Sequence, residues 1–284
     1  MVDSELMSNI VAGMKAGTVI PYLGPGVLSN VKNIGGNRTL PADSDSLILA
    51  MNNGQPMAPR LMYEFPRAAM NLELKKGRSF VERFLTDTYG AEQWQRARFH
   101  KWLADIKPHY VIDINRDTQL QDSYRSTSHT LIVGTARITS DFRFKLFHYD
   151  GQTYHSIEQC HVDVNLPIIF KPMGTPVPEP TYIASDADYV DYITELMGGF
   201  ALPGFVKEYR KGKRYLLLGM SLTRDTERMV LSDIIYAADN PSGWAFIPSP
   251  TEKEQRFCAA RKIDIVDASW EALLPSNSSA VETA

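Results

Sequence analysis

Short apolar runs that alternate with longer helical stretches constrain the fold of this chain most. The runs are rich in Val, Ile, Leu and aromatic residues, and they cover residues 18–23, 110–114, 129–134, 166–174, 214–219, 244–248 and 263–267. Strands that are buried on both faces have this nearly continuous apolar pattern. Helices between such strands place them side by side in a parallel sheet. The sequence therefore predicts an α/β fold with a doubly wound parallel sheet.

The segments between these runs are predicted to be mainly helical, with one hairpin. A first helix begins near Asp3, and another covers Asp186 to Met197. Residues 43–102 have helical periodicity throughout, most clearly at 67–77, 80–89 and 93–103. The alternating stretch around Asp150-Gly151 is instead typical of a β-hairpin.

Composition argues against several classes of protein. The net charge of −3 gives no broad electrostatic attraction to nucleic acid. No apolar run approaches the roughly 20 residues that a membrane-spanning helix needs, and the N-terminal flank is acidic, unlike that of a signal peptide. The cysteines, Cys160 and Cys258, are too few for a disulfide framework. We therefore expect a cytoplasmic protein that binds neither nucleic acid nor membrane.

Small or polar residues follow several of the predicted strands. These strand ends are Gly24-Pro25-Gly26, Asn115-Arg116-Asp117, Gly174-Thr175 and Gly219-Met220-Ser221. In an open parallel sheet, ligands bind beyond the carboxyl ends of the strands. Each of these ends taken alone is more often a plain turn or a helix cap, but together they predict one nucleotide-sized cleft.

These elements, in this order, resemble the sirtuin-like family, in particular its bacterial branch of NAD-cleaving and NAD-sensing proteins. "IPYLGPGVLS" looks like the family's G-A-G-x-S loop, and "IDINRDTQL" is similar to its T-x-N-x-D element. "LPIIFKPMG" looks like the K-L-H-G segment, and "RYLLLGMSLTRD" resembles the late G-x-S-L strand end. The resemblance extends from Val19 to about Leu274.

The resemblance implies a Rossmann-like domain over residues 1–274 that carries an inserted helical module at about 43–103. The small, polar residues of 275–284 separately predict a disordered tail. It implies attack at the nicotinamide ribose of NAD, with Asn115 and Asp117 at the catalytic positions. NAD or ADP-ribose would be held by Gly24, Gly26, Val27, Ser29, Asn115, Asp117, Gly174, Gly219 and Ser221. No metal is expected, because the four-cysteine zinc module of protein-deacylating sirtuins cannot form from two cysteines.

The glycine loop departs from the family pattern in two ways. Pro25 replaces the central alanine and has no N–H to offer a phosphate, which leaves Gly24, Gly26 and Val27 as backbone donors. The serine also comes one residue late, at Ser29. Phosphate binding is therefore expected to be weakened or rearranged rather than abolished.

The most serious departure is Met173, which stands at the histidine position of the K-L-H-G segment. A thioether cannot accept a proton at neutral pH. Losing a general base typically costs about 10²–10⁴-fold in rate. Met173 is therefore expected to fill apolar space, unless a neighbouring group supplies a substitute base.

Other polar residues allow a structural and a functional interpretation. His148, His155, His161 and Cys160 match no zinc spacing, so we expect surface or hairpin residues there. Asp225 and Glu227 can begin a solvated helix or contact ribose hydroxyls. Arg116 can meet a phosphate or point to solvent, and Asn115 and Asp117 can merely cap the next helix.

Two functions stay open at this stage. The first is a sirtuin-like NAD- or ADP-ribose-binding protein with lost or much reduced NAD cleavage, which acts as a sensor or as an interaction subunit with a protein partner or a second copy. The same fold can also serve with no ligand at all. The second is an active NAD glycohydrolase that uses Asn115 and a substitute base.

Overall fold

A computed structural model describes residues 3–275 of the chain. The tail predicted at 275–284 therefore lies outside the described residues, apart from Pro275. The strands are β1 (Val19–Leu23), β2 (Tyr110–Asp113), β3 (His129–Gly134), β4 (Phe144–Tyr149), β5 (Tyr154–Ser156), β6 (Ile168–Lys171), β7 (Gly174–Thr175), β8 (Thr181–Tyr182), β9 (Arg214–Leu218), β10 (Gly243–Phe246) and β11 (Ile263–Val266).

The α-helices are α1 (Ser4–Lys15), α2 (Ser44–Met51), α3 (Phe65–Lys76), α4 (Arg78–Thr86), α5 (Arg98–Ile106), α6 (Gln119–Ser123), α7 (Asp186–Gly198), α8 (Gly204–Tyr209), α9 (Asp225–Ile234) and α10 (Glu252–Ala260). Helix α1 precedes β1, and the other α-helices lie in the connections β1–β2, β2–β3, β8–β9, β9–β10 and β10–β11. Helices α2 to α5 lie between β1 and β2. A 3₁₀ turn at Pro25–Leu28 follows β1 directly, and another at Trp270–Leu273 ends the described chain.

The main sheet has nine strands in the order β11-β10-β9-β1-β2-β6-β3-β4-β5. All neighbouring pairs from β11 to β3 are parallel. The predicted hairpin around Asp150-Gly151 forms the antiparallel edge, β4 with β5. The predicted α/β fold with a doubly wound, mostly parallel sheet is therefore confirmed.

Strand β1 shows how the apolar pattern produces two cores. Val19 and Leu23 belong to the core on one sheet face, with residues of α1 to α6. Ile20 and Tyr22 belong to the opposite core, with residues of α7 to α10. Successive side chains of a strand point to opposite faces, so an apolar residue at every position requires helices on both sides.

One of the predicted helices begins later than expected. The sequence predicts a helix from Gln93, but α5 begins at Arg98. The backbone of 93–95 pairs instead with the loop after the glycine turn: the Ile34 N–H donates to the Gln93 carbonyl, and the Gln95 N–H donates to the Lys32 carbonyl. These hydrogen bonds replace the ones that a longer helix would make.

No helix within residues 3–275 combines the length and the apolar character that crossing a bilayer requires.

The buried centre of the sheet gives a stability prediction. Ile169 lies in β6 between β2 and β3 and has no exposed surface. Ile169→Ala is expected to lower the free energy of unfolding by about 2–5 kcal/mol, because it removes buried methyl groups and leaves a cavity. Urea denaturation measures the change. The matched control, Ile34→Ala, truncates a side chain that is 60% exposed and should change stability by less than about 0.5 kcal/mol. Equal losses in both variants would contradict the description of the core.

Candidate active site

Two adjoining cavities lie at the carboxyl ends of β1, β2 and β9. The outer cavity, of about 400 Å³, is lined by Pro25, Gly26, Asp43, Ser44, Asp45, Gly219, Met220, Ser221, Thr223, Arg224, Glu227, Phe246, Pro248, Ser269 and Trp270. The inner cavity, of about 40 Å³, is lined by Pro25, Ala42, Ser44, Leu47, Phe65, Pro66, Ile114, Asn115, Arg116, Met173, Tyr189, Arg224, Thr226 and Glu227. Pro25, Ser44, Arg224 and Glu227 border both.

The floor of the outer cavity is a direct contact between two backbone turns. A Cβ atom on Gly26 would lie 2.8 Å from the Gly219 Cα, and one on Gly219 would collide with the Val27 nitrogen. Gly219 also has a φ of +65°, which favours glycine. Both glycines are therefore needed where the loop after β1 crosses the loop after β9.

The backbone N–H groups of the glycine loop are already hydrogen-bonded. Gly24 donates to the Leu218 carbonyl at 2.8 Å, Gly26 donates to the Gly219 carbonyl at 2.8 Å, and Val27 donates to the Gly24 carbonyl at 3.3 Å. The sequence interpretation assigned these N–H groups to a phosphate. With each of them directed at a carbonyl, an anion in the outer cavity needs other donors.

The predicted serines differ in placement. Ser29 is exposed and follows the 3₁₀ turn, and it is not among the residues that line either cavity. Leu28, at the motif's serine position, is fully buried. Ser221 lines the outer cavity and shares a hydrogen bond with the Thr223 hydroxyl.

Asn115 is held rigidly at the wall of the inner cavity. Its Nδ2 donates to the Gly24 carbonyl at 3.1 Å and to Asp113 Oδ1 at 2.8 Å. Its backbone N–H donates to the same carboxylate oxygen at 3.0 Å. Asn115 Oδ1 is buried and has no partner among the described residues. The side chain thus joins β2 to the glycine loop and keeps its own acceptor unused.

A buried cluster of charged and polar side chains lies behind Asn115. Lys171 donates to Asp113 Oδ2 at 2.7 Å, and both side chains have no exposed surface. His100 Nε2 lies 4.0 Å from the same oxygen, and burial lowers the pKa of His100, while the Asp113 and Asp117 carboxylates oppose that shift. Sequence reasoning missed this pair, although a charged residue at the end of each apolar strand, "YVID" and "IIFK", was a visible signal.

Asp117 belongs to this buried cluster and is not among the residues that line either cavity. Its Oδ1 accepts the Gln119 N–H at 2.7 Å, while the N-cap residue of α6 is Thr118. Its Oδ2 is buried with no partner among residues 3–275. Burial raises the pKa of Asp117, and the nearby Lys171 ammonium opposes that shift.

Three further predicted residues have mainly structural contacts. Arg116 donates through Nε and Nη2 to the Ile183 carbonyl at 3.1 and 2.6 Å and stacks on Phe65, so it is committed to the protein interior. Gly174 begins β7 with a φ of +90°, and a Cβ there would collide with the carbonyl of Thr181 in the paired strand β8. Met173 is 3% exposed and forms part of the inner-cavity wall.

Arg224 is the functional candidate that sequence reasoning did not single out. It borders both cavities, its guanidinium lies 4.9 Å from the centre of the Tyr63 ring, and its nearest carboxylate, Asp45, is 4.0 Å away. Its position directly before Asp225 in "TRDTER" offered the signal. Arg224 is therefore the cation best placed to meet an anionic ligand.

Two acidic side chains lie beside Arg224. Glu64 is buried, and its Oε1 accepts the Asp225 N–H at 3.1 Å at the start of α9. Glu227 borders both cavities, and its Oε2 is buried with no partner among the described residues. Burial raises the pKa of Glu227 to about 8, and the nearby Glu64 carboxylate adds to the shift.

The histidines near β6 lie away from both cavities. His148 is opposite His155 in the β4–β5 hairpin, and His155 Nε2 is 2.9 Å from Asp150 Oδ2. Glu158, Cys160 and His161 place their ligand atoms within 4.8 Å of one another, but all of these side chains are exposed. Cys160 and Cys258 are both free thiols.

A family model for the SIR2-like domain matches residues 109–266. The chain belongs to the SIR2-like family. This confirms the sirtuin-like resemblance and makes a NAD-related role the general expectation for the chain. The matched part of this SIR2-like protein contains Asn115, Asp117, Met173 and Gly219, while the glycine loop and α2 to α5 precede it. A search of curated proteins gave no match to the chain.

The buried ion pair gives a second prediction. Lys171→Met leaves the Asp113 carboxylate buried without its cation, which is expected to cost about 3–5 kcal/mol of unfolding free energy. The control is Lys145→Met, because the Lys145–Glu179 pair is more than a third exposed on both sides and should contribute about 0–1 kcal/mol. Urea denaturation measures the unfolding free energy of both variants. A loss at Lys171 no larger than the loss at Lys145 would refute the role of the pair.

Proposed function

We propose that this chain binds NAD or ADP-ribose in the two cavities, with NAD cleavage lost or much reduced, and that it acts as a sensor or interaction subunit. The observation that carries this proposal is Met173 in the wall of the inner cavity, beside Asn115. A thioether offers no proton acceptor at neutral pH. The cavity therefore has the asparagine that the family resemblance assigns to the ribose and lacks the histidine.

The residues around the outer cavity suit a nucleotide. Its volume of about 400 Å³ falls within the range typical of small-molecule sites, about 300–1,000 Å³. Arg224 offers a planar, permanently charged donor set for a pyrophosphate, which the engaged N–H groups of the glycine loop do not. Ribose hydroxyls would have suitable hydrogen-bond partners in the hydroxyls of Ser44, Ser221 and Thr223 and in the carboxylate of Asp43. When bound, NAD would supply a cationic nicotinamide leaving group on a sugar.

An active NAD glycohydrolase is the second candidate function, and one observation favours it. Glu227 borders the same inner cavity as Asn115 and Met173, so a carboxyl group stands where a substitute base is needed. The expected loss of rate decides between the two candidate functions. A missing histidine base costs about 10²–10⁴-fold in rate, so cleavage that relies on a replacement is expected to be slow.

The remaining expectations go with the proposal. A protein partner or a second copy of the chain would bind differently to the nucleotide-bound and the nucleotide-free forms. The proposed location is the cytoplasm. Neither nucleic acid nor membrane is a proposed partner, since the net charge of −3 gives no basic surface excess.

Binding tests the proposal directly. Arg224→Met is expected to weaken ADP-ribose binding at least tenfold in isothermal titration calorimetry, since hydrogen bonds to a charged group contribute about 1.5–3 kcal/mol. Arg256→Met, which removes an exposed arginine on α10, is the matched control and should bind as the wild type does. Wild-type protein that binds neither ADP-ribose nor NAD would defeat the proposed function.

Restoring the imidazole tests the reason given for weak cleavage. Met173→His is expected to raise nicotinamide release from NAD by about 10²–10⁴-fold, the usual contribution of a general base. Met197→His places the same side chain at a methionine that is 71% exposed and lines neither cavity, so it should leave the rate unchanged. Nicotinamide is followed by chromatography. The explanation fails if a folded Met173→His variant binds NAD and releases nicotinamide no faster than the wild type.

A further inference from the structure

Two unpaired oxygen atoms belong to residues that line the inner cavity. Asn115 Oδ1 and Glu227 Oε2 are both buried, and neither has a hydrogen-bond partner among residues 3–275. A buried polar atom without a hydrogen-bond partner destabilises the folded protein. Because both residues line the same cavity, one from the end of strand β2 and one from helix α9, a group bound there can complete their hydrogen bonding.

The properties of the cavity define that group. An amide oxygen accepts hydrogen bonds, and so does the oxygen of an ionised carboxylate, so an occupant that donates to both suits the ionised form of Glu227. The cavity of about 40 Å³ is larger than the roughly 10–15 Å³ that a water molecule requires. Met173 closes another side of the cavity and offers only a weak acceptor. A water molecule that donates to Asn115 and to Glu227 fits all of these limits.

We propose that Asn115 and Glu227 hold the attacking water in the inner cavity, and that Glu227 is the proton acceptor for a slow residual hydrolysis of NAD; this rests on the nucleotide binding proposed above. The water oxygen forms a bond to the anomeric carbon of the nicotinamide ribose. The electron pair of the carbon–nitrogen bond passes to the ring nitrogen, and nicotinamide leaves as a neutral molecule. The water proton goes to the Glu227 carboxylate and then to solvent through the outer cavity, which Glu227 also borders.

The surroundings of Glu227 set how easily it takes up a proton. The groups that act on it are Glu64, Asp43, Arg224, Arg228, Tyr22 and Tyr189. The buried position and the acidic neighbours raise its pKa, and the arginines oppose the shift. Efficient proton acceptors have a pKa near the working pH, and a pKa of about 8 meets that condition.

The first readout needs no ligand. The folded-state pKa of Glu227 lies above its ordinary value of 4.5, so its contribution to stability is complete at low pH and is lost as pH rises through about 8. The wild-type melting temperature should therefore fall from pH 5 to pH 9 relative to that of Glu227→Gln, whose amide does not titrate. Glu208→Gln, on a side chain that is 72% exposed, should leave the pH dependence unchanged. Parallel curves for wild type and Glu227→Gln overturn the proposal.

The second readout is nicotinamide release between pH 6 and pH 9, with ADP-ribose binding measured on the same samples. We expect a slow wild-type rate that rises with pH, with a midpoint near pH 8. The Glu227→Gln variant should bind ADP-ribose as the wild type does and release nicotinamide about 10²-fold more slowly. The Glu64→Gln variant should have a lower midpoint, because the Glu64 carboxylate raises the pKa of Glu227. If Glu227→Gln does not fold, the shift in Glu64→Gln decides alone. Wild-type protein that binds but never cleaves, or an unaffected Glu227→Gln, overturns the inference and leaves the proposed function standing. If the wild type does not bind ADP-ribose, both the inference and the proposed function fail.

Discussion

The ion pair between Lys171 and Asp113 is the interaction on which the rest of the site depends. Each residue ends a central strand, Asp113 on β2 and Lys171 on the neighbouring β6. Desolvating two charges is costly, and their attraction compensates only when the geometry is good and further hydrogen bonds are made. Asp113 meets both conditions, because one of its oxygens accepts from Lys171 and the other accepts from Asn115. The pair therefore fixes the asparagine as well as the strand ends.

The asparagine in turn connects this pair to the two glycine turns. Its donor to the Gly24 carbonyl ties β2 to the loop after β1, and the Gly26 and Gly219 backbones meet without side chains between them. The loop's N–H groups are used in forming this contact, so the turn acts as a rigid floor rather than as a phosphate cradle. Arg224 lines the same cavity, and it is the cation that we propose for recognition of an anion.

The sequence predicts the sheet well because each strand carries its own signal. Buried parallel strands need apolar residues at every position, and runs such as "HTLIVG" match their strand ends in the structure. The start of α5 was wrong because its backbone pairs with a loop some 60 residues away in sequence, which no local pattern records. The N–H directions at Gly24 and Gly26 depend likewise on β9, far along the chain.

The site was only partly predictable for the same reason. Asn115 and Asp117 are both short polar residues that follow strand β2, so the sequence does not distinguish their roles. In the structure, Asn115 borders the inner cavity, whereas Asp117 belongs to the buried cluster. The helical segment that supplies Glu64 and the helix that carries Arg224 and Glu227 meet only in three dimensions. Their burial beside Met173 depends on tertiary packing, so composition could not indicate a carboxyl group with a raised pKa at this position.

We propose that the two cavities form one nucleotide site in which Met173 stands at the position of the base. A crystal structure of the protein with ADP-ribose tests this proposal most directly. We expect a pyrophosphate within hydrogen-bond distance of the Arg224 guanidinium, over the Gly26–Gly219 contact, and a terminal ribose at the inner cavity beside Asn115 and Met173. A ligand bound elsewhere on the chain, or cavities that stay empty at saturating ADP-ribose, would contradict it.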